Sequence, residues 1–264
     1  MPAPHPARQR AARARLANLL AHPEGVYVVH YACESFDSDA QNVSPRVTAI
    51  AARNVASSDT QVFSIHAEVE VRRLAPVQIL SRLDELEAAM LAKYFAFLKI
   101  NRQMRFVHWN MRDALYGFQA IEHRGAVLGI EAFAIADSQK FDLARLIIDI
   151  YGAGYVDKPY QVELAKKNGL SLDGYLPGDL EAEAFERGGY AIVQRSVLAK
   201  VRVMFDILHL AHDRTLKTGA SWWTLNFGRL REAAELMDDN PVKAIAGLAV
   251  AGLSFGIFAV TRLW

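Results

Sequence analysis

Two acidic side chains follow segments of the sequence that have the composition of buried strands. Glu34 comes soon after the run 25–31, and Asp113 comes soon after the run 106–109. Carboxylate oxygens are the ligands that magnesium and manganese prefer. Carboxylates that converge on two such ions can activate a water molecule and stabilise the leaving oxygen of a phosphodiester. Metal-dependent phosphodiester chemistry is therefore the first function to consider.

The strands that would position these carboxylates can be located from composition. Four segments are rich in β-branched and aromatic residues, namely 25–31, 46–53, 60–66 and 106–109. Asn54 and residues 57–59 predict a turn between the second and the third segment. We expect the four strands to share one sheet, with the first two antiparallel.

The rest of the chain has mainly helical patterns. Apolar residues recur at helical spacing from Pro76 to about Leu98, and helices are also predicted over 113–123, 141–151, 160–168 and 191–212. The acidic segment 178–188 predicts a loop or lid with a little helix. Three strands, a helix, a strand and then helices indicate an α/β fold with a mixed sheet.

These segments carry motifs that resemble those of the DEDD-type 3′–5′ exonucleases of the ribonuclease-H-like class. In that family an apolar strand ends in Asp-x-Glu, and a hairpin follows whose second strand runs like Arg-Ile-x-x-Ile-Gly-Ala. Here Val-Val-His-Tyr-Ala-Cys-Glu-Ser at 28–35 is followed by Arg-Val-Thr-Ala-Ile-Ala-Ala at 46–52. Glu34 corresponds to the glutamate, whereas Ala32 stands in place of the first aspartate.

The middle of the chain resembles the next part of the family pattern. The motif His-Asn-x-x-Phe-Asp is similar to residues 108–113. His108 matches the histidine, Asp113 matches a metal ligand, and Asn110 is displaced by one position from the asparagine. The segment that begins Phe141-Asp142 looks like the aspartate-led helix that follows in these enzymes.

The final family motif, His-x-Ala-x-x-Asp on the last helix, aligns best with residues 194–199. Gln194 then takes the place of the general base and Ala199 that of the metal-binding aspartate, with Lys200 beside it. The likeness covers about residues 26–211, and the motifs keep the family's order and spacing.

The resemblance implies a ribonuclease-H-like mixed β-sheet flanked by helices, with the site at the end of the first strand. Glu34 and Asp113 would be catalytic, and an active enzyme would use Mg²⁺ or Mn²⁺. The implied metal ligands are Glu34, Asp113 and Asp142. The implied substrate contacts are His108, Asn110, Gln194 and Lys200, and we expect Gln194 and Lys200 to face Glu34 and Asp113.

The departures from the family pattern argue against catalysis. Ala32 and Ala199 remove acidic ligands, which lowers the negative charge that holds two cations together. Gln194 cannot take up a proton at neutral pH, so general-base assistance of roughly 10²–10⁴-fold would be lost there. We therefore expect a domain that binds nucleic acid or a nucleotide, with weak or absent catalysis.

Two other functions stay open on the sequence alone. A working phosphodiesterase would use Glu34 and Asp113 with further acids such as Asp37 or Asp142. An assembly scaffold would make no use of the cleft, and its C-terminal helix would drive homo-oligomer formation. Protection of the fold by a metal ion would separate the first two functions from the scaffold.

The acidic residues also have purely structural interpretations. Glu34 and Asp113 can cap helices or pair with Arg46 or Arg112, because perturbed carboxylates also occur in structural networks. Asp142 can be the N-terminal charge of its helix, where the helix macrodipole favours a negative group.

The composition and the N-terminal segment narrow the choice of partner. The net charge is +1, so the molecule as a whole does not attract nucleic acid strongly. A single cysteine excludes an internal disulfide framework and a multi-cysteine zinc site. Residues 1–24 predict a basic amphipathic helix that is either a solvated arm or an arm that contacts phosphate or lipid. We place the α/β domain at 25–215 and a junction at 216–243.

Residues 244–264 predict a hydrophobic helix. Residues 244–260 carry no charge, and about 17 residues at ~1.5 Å each span roughly 26 Å, close to a hydrocarbon core of ~30 Å. Lys243, Arg262 and Trp264 flank the segment as interfacial anchors would. The helix either tethers a cytoplasmic domain to a membrane or packs in the core or in an oligomer of a cytoplasmic protein.

Deleting every residue after Asp239 should convert a membrane-associated protein into one that stays in solution without unfolding the α/β domain. Asn240-Pro241 ends the preceding helix, so few contacts should cross that point. Sedimentation with membranes and the cooperativity of thermal unfolding measure the two effects. A full-length chain that remains monomeric in solution without detergent would show that the helix packs in the core.

Overall fold

The structure, a computed structural model, describes residues 6–34, 44–112 and 116–220. Asp37, Asp113 and the hydrophobic segment 244–264 lie outside the described residues. Within those three ranges, no helix combines the length and the apolar character needed to cross a bilayer.

A mixed sheet of five strands lies at the centre of the described chain. The strands are β1 (Val26–Cys33), β2 (Val47–Asn54), β3 (Thr60–Ser64), β4 (Arg105–His108) and β5 (Lys140–Asp142). Their order is β3-β2-β1-β4-β5; β2 is antiparallel to β1 and β3, whereas β1, β4 and β5 are parallel. The prediction that the first four strands share one sheet, with the first two antiparallel, is confirmed.

Helices cover both faces of this sheet. They are α1 (Pro6–Leu20), α2 (Ile65–Arg72), α3 (Pro76–Ile79), α4 (Leu83–Ile100), α5 (Phe118–Val127), α6 (Leu143–Tyr151), α7 (Tyr160–Lys167), α8 (Gly178–Glu186) and α9 (Tyr190–His212). Tyr27 of β1 packs edge-to-face on Phe97 of α4, with ring centres 5.2 Å apart. Arg53 of β2 lies 4.5 Å from the ring centre of Phe205 in α9. Tyr27 pairs with Asn54, the neighbour of Arg53, so α4 and α9 cover opposite faces.

The predicted helix over 141–151 begins later than expected. Lys140–Asp142 pairs with β4 as the edge strand β5, and α6 starts at Leu143. Asp142 ends the strand and caps the helix, because its carboxylate accepts a hydrogen bond of 3.3 Å from the backbone N–H of Arg145. The interpretation of Asp142 as the N-terminal charge of its helix is therefore confirmed.

Other boundaries also differ from the sequence patterns. β3 ends at Ser64, whose hydroxyl accepts from the N–H of Ala67 at 2.9 Å and caps α2, a helix that the sequence analysis missed. Apolar and polar residues alternate over 65–71 as they do in a strand, but the Ser64 cap stabilises a helix there instead. The segment 178–188, expected to be mainly loop, contains α8, and α5 begins only at Phe118.

The basic N-terminal segment forms α1 and packs against α6. Leu16 and Leu19 are buried, and Gln9 Nε2 donates a hydrogen bond of 2.9 Å to the carbonyl of Ile150. The apolar side of the helix is thus part of the domain core, whereas its Arg15 is exposed to solvent. The basic side chains are held on the domain surface rather than on a solvated arm.

A buried carboxylate joins α4, α5 and the start of β2. Glu87 is fully buried and accepts hydrogen bonds from Arg124 Nη2 at 2.7 Å and from the backbone N–H of Val47 at 2.8 Å. Arg46 Nε lies 3.5 Å from the same side chain. Two arginines and one backbone group therefore compensate the buried charge of Glu87.

Replacing Glu87 by glutamine should lower the free energy of unfolding by about 3 kcal/mol or more, because the buried Arg124 would lose its close counter-charge and keep only the exposed Asp84, whose Oδ1 lies 3.4 Å from Arg124 Nη2. Glu85→Gln is the matched control, since Glu85 is exposed and pairs with Arg82 at the surface. The control should leave the urea midpoint almost unchanged. Equal midpoints for the two variants would contradict the structural role given to Glu87.

Candidate ligand-binding site

The carboxyl ends of β1, β4 and β5 meet at one edge of the sheet, because these strands are parallel. A cavity of about 530 Å³ lies at this edge, between the end of β1, the loop after β4 and helices α6 to α9. Ligands of open α/β sheets bind at this edge. We call it the central cavity, and the walls used below are formed by His30, Tyr31, Glu34, Trp109, Asn110, Tyr116, Tyr155, Tyr160, Gln161, Tyr175, Glu181 and Lys200.

A buried ion pair forms one wall of the central cavity. Lys200 Nζ of α9 lies 2.5 Å from Glu181 Oε2 of α8, and these side chains are only 6% and 4% exposed. Burial raises the pKa of Glu181, and the nearby Lys200 ammonium opposes that rise. Lys200 Nζ also lies 5.4 Å from the ring centre of Tyr175, where the ring face attracts a cation. The cavity therefore contains a lysine whose counter-charge is Glu181 rather than Glu34.

Besides Glu181 Oε1, three polar atoms on these walls have no hydrogen-bond partner in the part of the chain that the structure describes. They are His30 Nδ1, the Tyr155 hydroxyl and Gln161 Nε2, and all three residues are buried. Buried polar groups of folded proteins are nearly always hydrogen-bonded, and an unpaired one costs about 1–3 kcal/mol. These three groups are therefore available to a bound ligand.

The unpaired groups supply both donors and acceptors. Burial and then the charge of Lys200 lower the pKa of His30 well below its ordinary value, so its ring is neutral at pH 7. A neutral imidazole donates through one nitrogen and accepts through the other. Gln161 Oε1 accepts from the Tyr175 hydroxyl at 2.8 Å, which leaves the amide nitrogen of Gln161 free to donate.

Aromatic rings form much of the remaining wall. Tyr31 and Tyr116 stack with ring centres 4.7 Å apart, and Tyr155 and Tyr160 stack at 5.5 Å. Trp109 lines the same cavity from the loop after β4. Flat ring faces beside hydrogen-bonding groups suit a planar heteroaromatic ligand such as a nucleobase.

Glu34 lines the central cavity, but its carboxylate is engaged by Arg46. The guanidinium of Arg46 forms an ion pair with Glu34 Oε1, and the backbone N–H of Arg46 donates to Oε2 at 3.3 Å. Arg46 also lies 2.6 Å from Asp84. The structural interpretation of Glu34 as the partner of Arg46 is therefore confirmed, and a metal ion would have to compete with a guanidinium.

Asp142 belongs to a second cavity, of about 310 Å³, and does not line the central cavity. Its carboxylate caps α6, accepts from the N–H of Asn110 at 3.2 Å and pairs with Arg112 Nε at 2.5 Å. Glu34 and Asp142 are thus each paired with an arginine, in different cavities.

His108 and Asn110 shape the loop after β4. His108 is buried, and its Nδ1 accepts from the N–H of Met111 at 3.1 Å. Burial lowers the pKa of His108 to about 4, although the Asp142 charge opposes this shift. Asn110 adopts a φ of 55° and its Oδ1 accepts from Arg112 at 2.5 Å. Asn110 lines the central cavity, whereas His108 lines the second one.

Gln194 and Lys200 do not face the same site. Gln194 Oε1 accepts from the Ser64 hydroxyl, and Gln194 lines neither cavity. Six residues along an α-helix, at about 100° each, place two side chains roughly a third of a turn apart. The expectation that both side chains face Glu34 is therefore wrong for Gln194, while Lys200 does line the cavity with Glu34.

The described donors do not fit a two-metal site. No group of three or more histidine, cysteine, aspartate or glutamate side chains within residues 6–34, 44–112 and 116–220 could hold a metal ion. Asp113 lies outside these ranges. Burial raises the pKa of the Cys33 thiol to about 12, which disfavours the thiolate form that binds metals.

Several of the groups that define the central cavity lie outside every motif of the sequence. Glu181, Tyr155 and Gln161 belong to no motif, and their side chains meet only through the packing of α7, α8 and α9 around β1. The one signal was the acidic composition of segment 178–188, which contains Glu181. His30 lies in an apolar strand, where a histidine is usually a satisfied core residue.

Comparison with known proteins leaves the site to be interpreted from its own geometry. No protein-family model matches the chain, and no match was found among curated proteins or among solved structures. The fold and the site define an α/β domain with a five-stranded mixed sheet and a cavity, lined by aromatic and polar side chains, at the carboxyl edge of its parallel strands.

Lys200→Met should lower the free energy of unfolding by roughly 3–5 kcal/mol, because Glu181 would keep a buried charge without a partner. The double variant Lys200→Met/Glu181→Leu should recover most of this loss, since apolar side chains of similar volume can replace a buried ion pair. Urea unfolding of wild type, both single variants and the double variant measures the coupling. Additive losses would mean that the two side chains do not interact.

Proposed function

We propose that the domain binds a nucleotide, free or at the end of a nucleic-acid strand, in the central cavity, and hydrolyses it weakly or not at all. We also propose that residues 244–264 tether this domain to a membrane.

The fold supports the resemblance on which this function partly depends. The strand order is β3-β2-β1-β4-β5, and β2 runs antiparallel to its neighbour β1 and hence to β4. This arrangement agrees with the mixed sheet expected for a ribonuclease-H-like domain. The central cavity lies at the end of β1, where the first acidic motif of the exonucleases would stand. The position of the cavity and the order of the motifs therefore both favour a nucleotide or a nucleic acid as the ligand.

The observation that carries the proposal is the set of unpaired polar groups inside an aromatic cavity. His30, Tyr155 and Gln161 can hydrogen-bond to a base edge or a sugar hydroxyl, and the tyrosine rings can stack on a base. Lys200 can attract a phosphate while it remains paired with Glu181. A volume of about 530 Å³ falls within the roughly 300–1,000 Å³ of small-molecule sites.

The charges in the cavity oppose the binding of two divalent cations. Lys200 already places an ammonium there, and Arg46 neutralises Glu34. Ala32 and Ala199 offer no ligand, and Gln194 lies elsewhere on α9. Neither the metal ions nor a general base that hydrolysis requires is favoured by the described side chains.

Full-length wild type should bind AMP or dAMP in isothermal titration calorimetry, and binding should not require Mg²⁺ or Mn²⁺. Lys200→Met/Glu181→Leu should weaken this binding by at least tenfold, because the phosphate-attracting lysine is lost. The matched control is Lys93→Met/Glu68→Leu, which removes another ion pair of 2.5 Å that lines neither cavity. Wild type and control should bind alike.

A nuclease assay on single-stranded DNA and RNA with Mg²⁺ or Mn²⁺ tests whether the domain hydrolyses phosphodiesters. We expect no metal-dependent cleavage above background. Cleavage that Glu34→Gln abolishes would establish a working phosphodiesterase instead. A protein that neither binds nucleotides nor cleaves strands would overturn the proposal and leave the assembly scaffold.

A further inference from the structure

The second cavity is rich in cationic side chains. It has a volume of about 310 Å³, and four basic side chains line it, namely Arg15, Arg112, Lys140 and Arg145. The acidic residues on its walls are Asp137 and Asp142. We call it the basic cavity. Arg112 lines both cavities, so the two adjoin one another.

Two of the four cations have no acidic partner within the described ranges of the chain. Arg112 pairs with Asp142 at 2.5 Å, and Lys140 pairs with Asp137 at 2.9 Å. Arg15 and Arg145 are exposed and form no ion pair with any residue that the structure describes. The basic cavity therefore has an uncompensated positive charge, supplied by α1 and by the first turn of α6.

Aromatic rings hold the cationic groups at the cavity wall. The guanidinium carbon of Arg15 lies 5.6 Å from the ring centre of Phe141, and Lys140 Nζ lies 5.3 Å from that of Phe118. A cation over a ring face keeps its hydrogen-bond donors available while its position is restricted. His108 adds no charge here at neutral pH, because burial lowers its pKa to about 4.

We propose that the basic cavity binds a backbone phosphate of a nucleic-acid strand whose terminal nucleotide occupies the central cavity. This inference rests on the proposed function and names its ligand as a strand rather than a free nucleotide. Guanidinium groups suit phosphate, because their donors match two of its oxygens. Arg112, on the boundary between the cavities, lies on the path that such a strand would follow. The fixed position of α1 gives Arg15 a role in the site.

Fluorescence anisotropy with a labelled ten-nucleotide single strand of DNA or RNA, and calorimetry with AMP and inorganic phosphate, test this inference. The strand should bind at least tenfold more tightly than AMP. Arg15→Ala/Arg145→Ala should weaken strand binding about tenfold and leave AMP binding unchanged. In this variant the slope of log affinity against log salt concentration should be smaller in magnitude by about 1.4, since each phosphate contact to a single strand contributes roughly 0.7 to the slope.

The matched control is Arg102→Ala/Arg195→Ala, which removes two exposed arginines that form no described ion pair and line neither cavity. An equal loss of strand affinity in the control would show general charge attraction and overturn the inference. Strand affinity no higher than that of AMP would also overturn it, while the proposed function would stand. Inorganic phosphate that binds and depends on Arg15 and Arg145, without tighter binding of the strand, would assign the cavity to a free anion. Absence of all nucleotide binding would remove the proposed function itself.

Discussion

The central strand β1 pairs along both of its edges, and the positions of the other elements depend on this pairing. One edge bonds antiparallel to β2 and the other parallel to β4, so the strand is held in a single register. A shift of one residue would exchange the faces of Tyr27 and Val28, and Tyr27 would lose its contact with Phe97. The fixed register also decides that His30 faces α9, while the end of the strand opens at the edge where α7, α8 and the loop after β4 converge.

Most carboxylates at this edge are paired with a cation, and Asp179 is the one on the cavity walls for which the structure describes no ion pair. Glu34 is held by Arg46, Asp142 by Arg112, and Glu181 by Lys200. A divalent cation requires acidic oxygens that are not already neutralised, so these pairs lower the affinity of the edge for metal ions. The central cavity also contains uncharged hydrogen-bonding groups and aromatic ring faces, which lie beside these ion pairs.

The packing of the basic helix α1 against the domain determines where its basic side chains lie. On its own, a run of arginines is most often a solvated face. Here Leu16 and Leu19 are buried, and Gln9 binds the carbonyl of Ile150 at the end of α6. This packing brings Arg15 to a cavity that shares Arg112 with the central one. Local positive charge is thus concentrated beside the site in a molecule whose net charge is only +1.

The sequence by itself determined the strand segments, their common sheet and the long helices α4 and α9, because these follow from local composition and spacing. For Asp142, the N-terminal charge of a helix was one of two interpretations, beside that of a metal ligand. The sequence also offered the pairing of Glu34 with Arg46 as one of two interpretations. It did not reveal α2, since the alternation of residues 65–71 resembles a strand until Ser64 caps a helix. Nor did it reveal that Lys200 pairs with Glu181, or that Gln194 bonds to Ser64. These contacts join residues far apart in the chain. Only the packing of helices on a sheet of fixed register brings such residues together, and no local pattern records that packing.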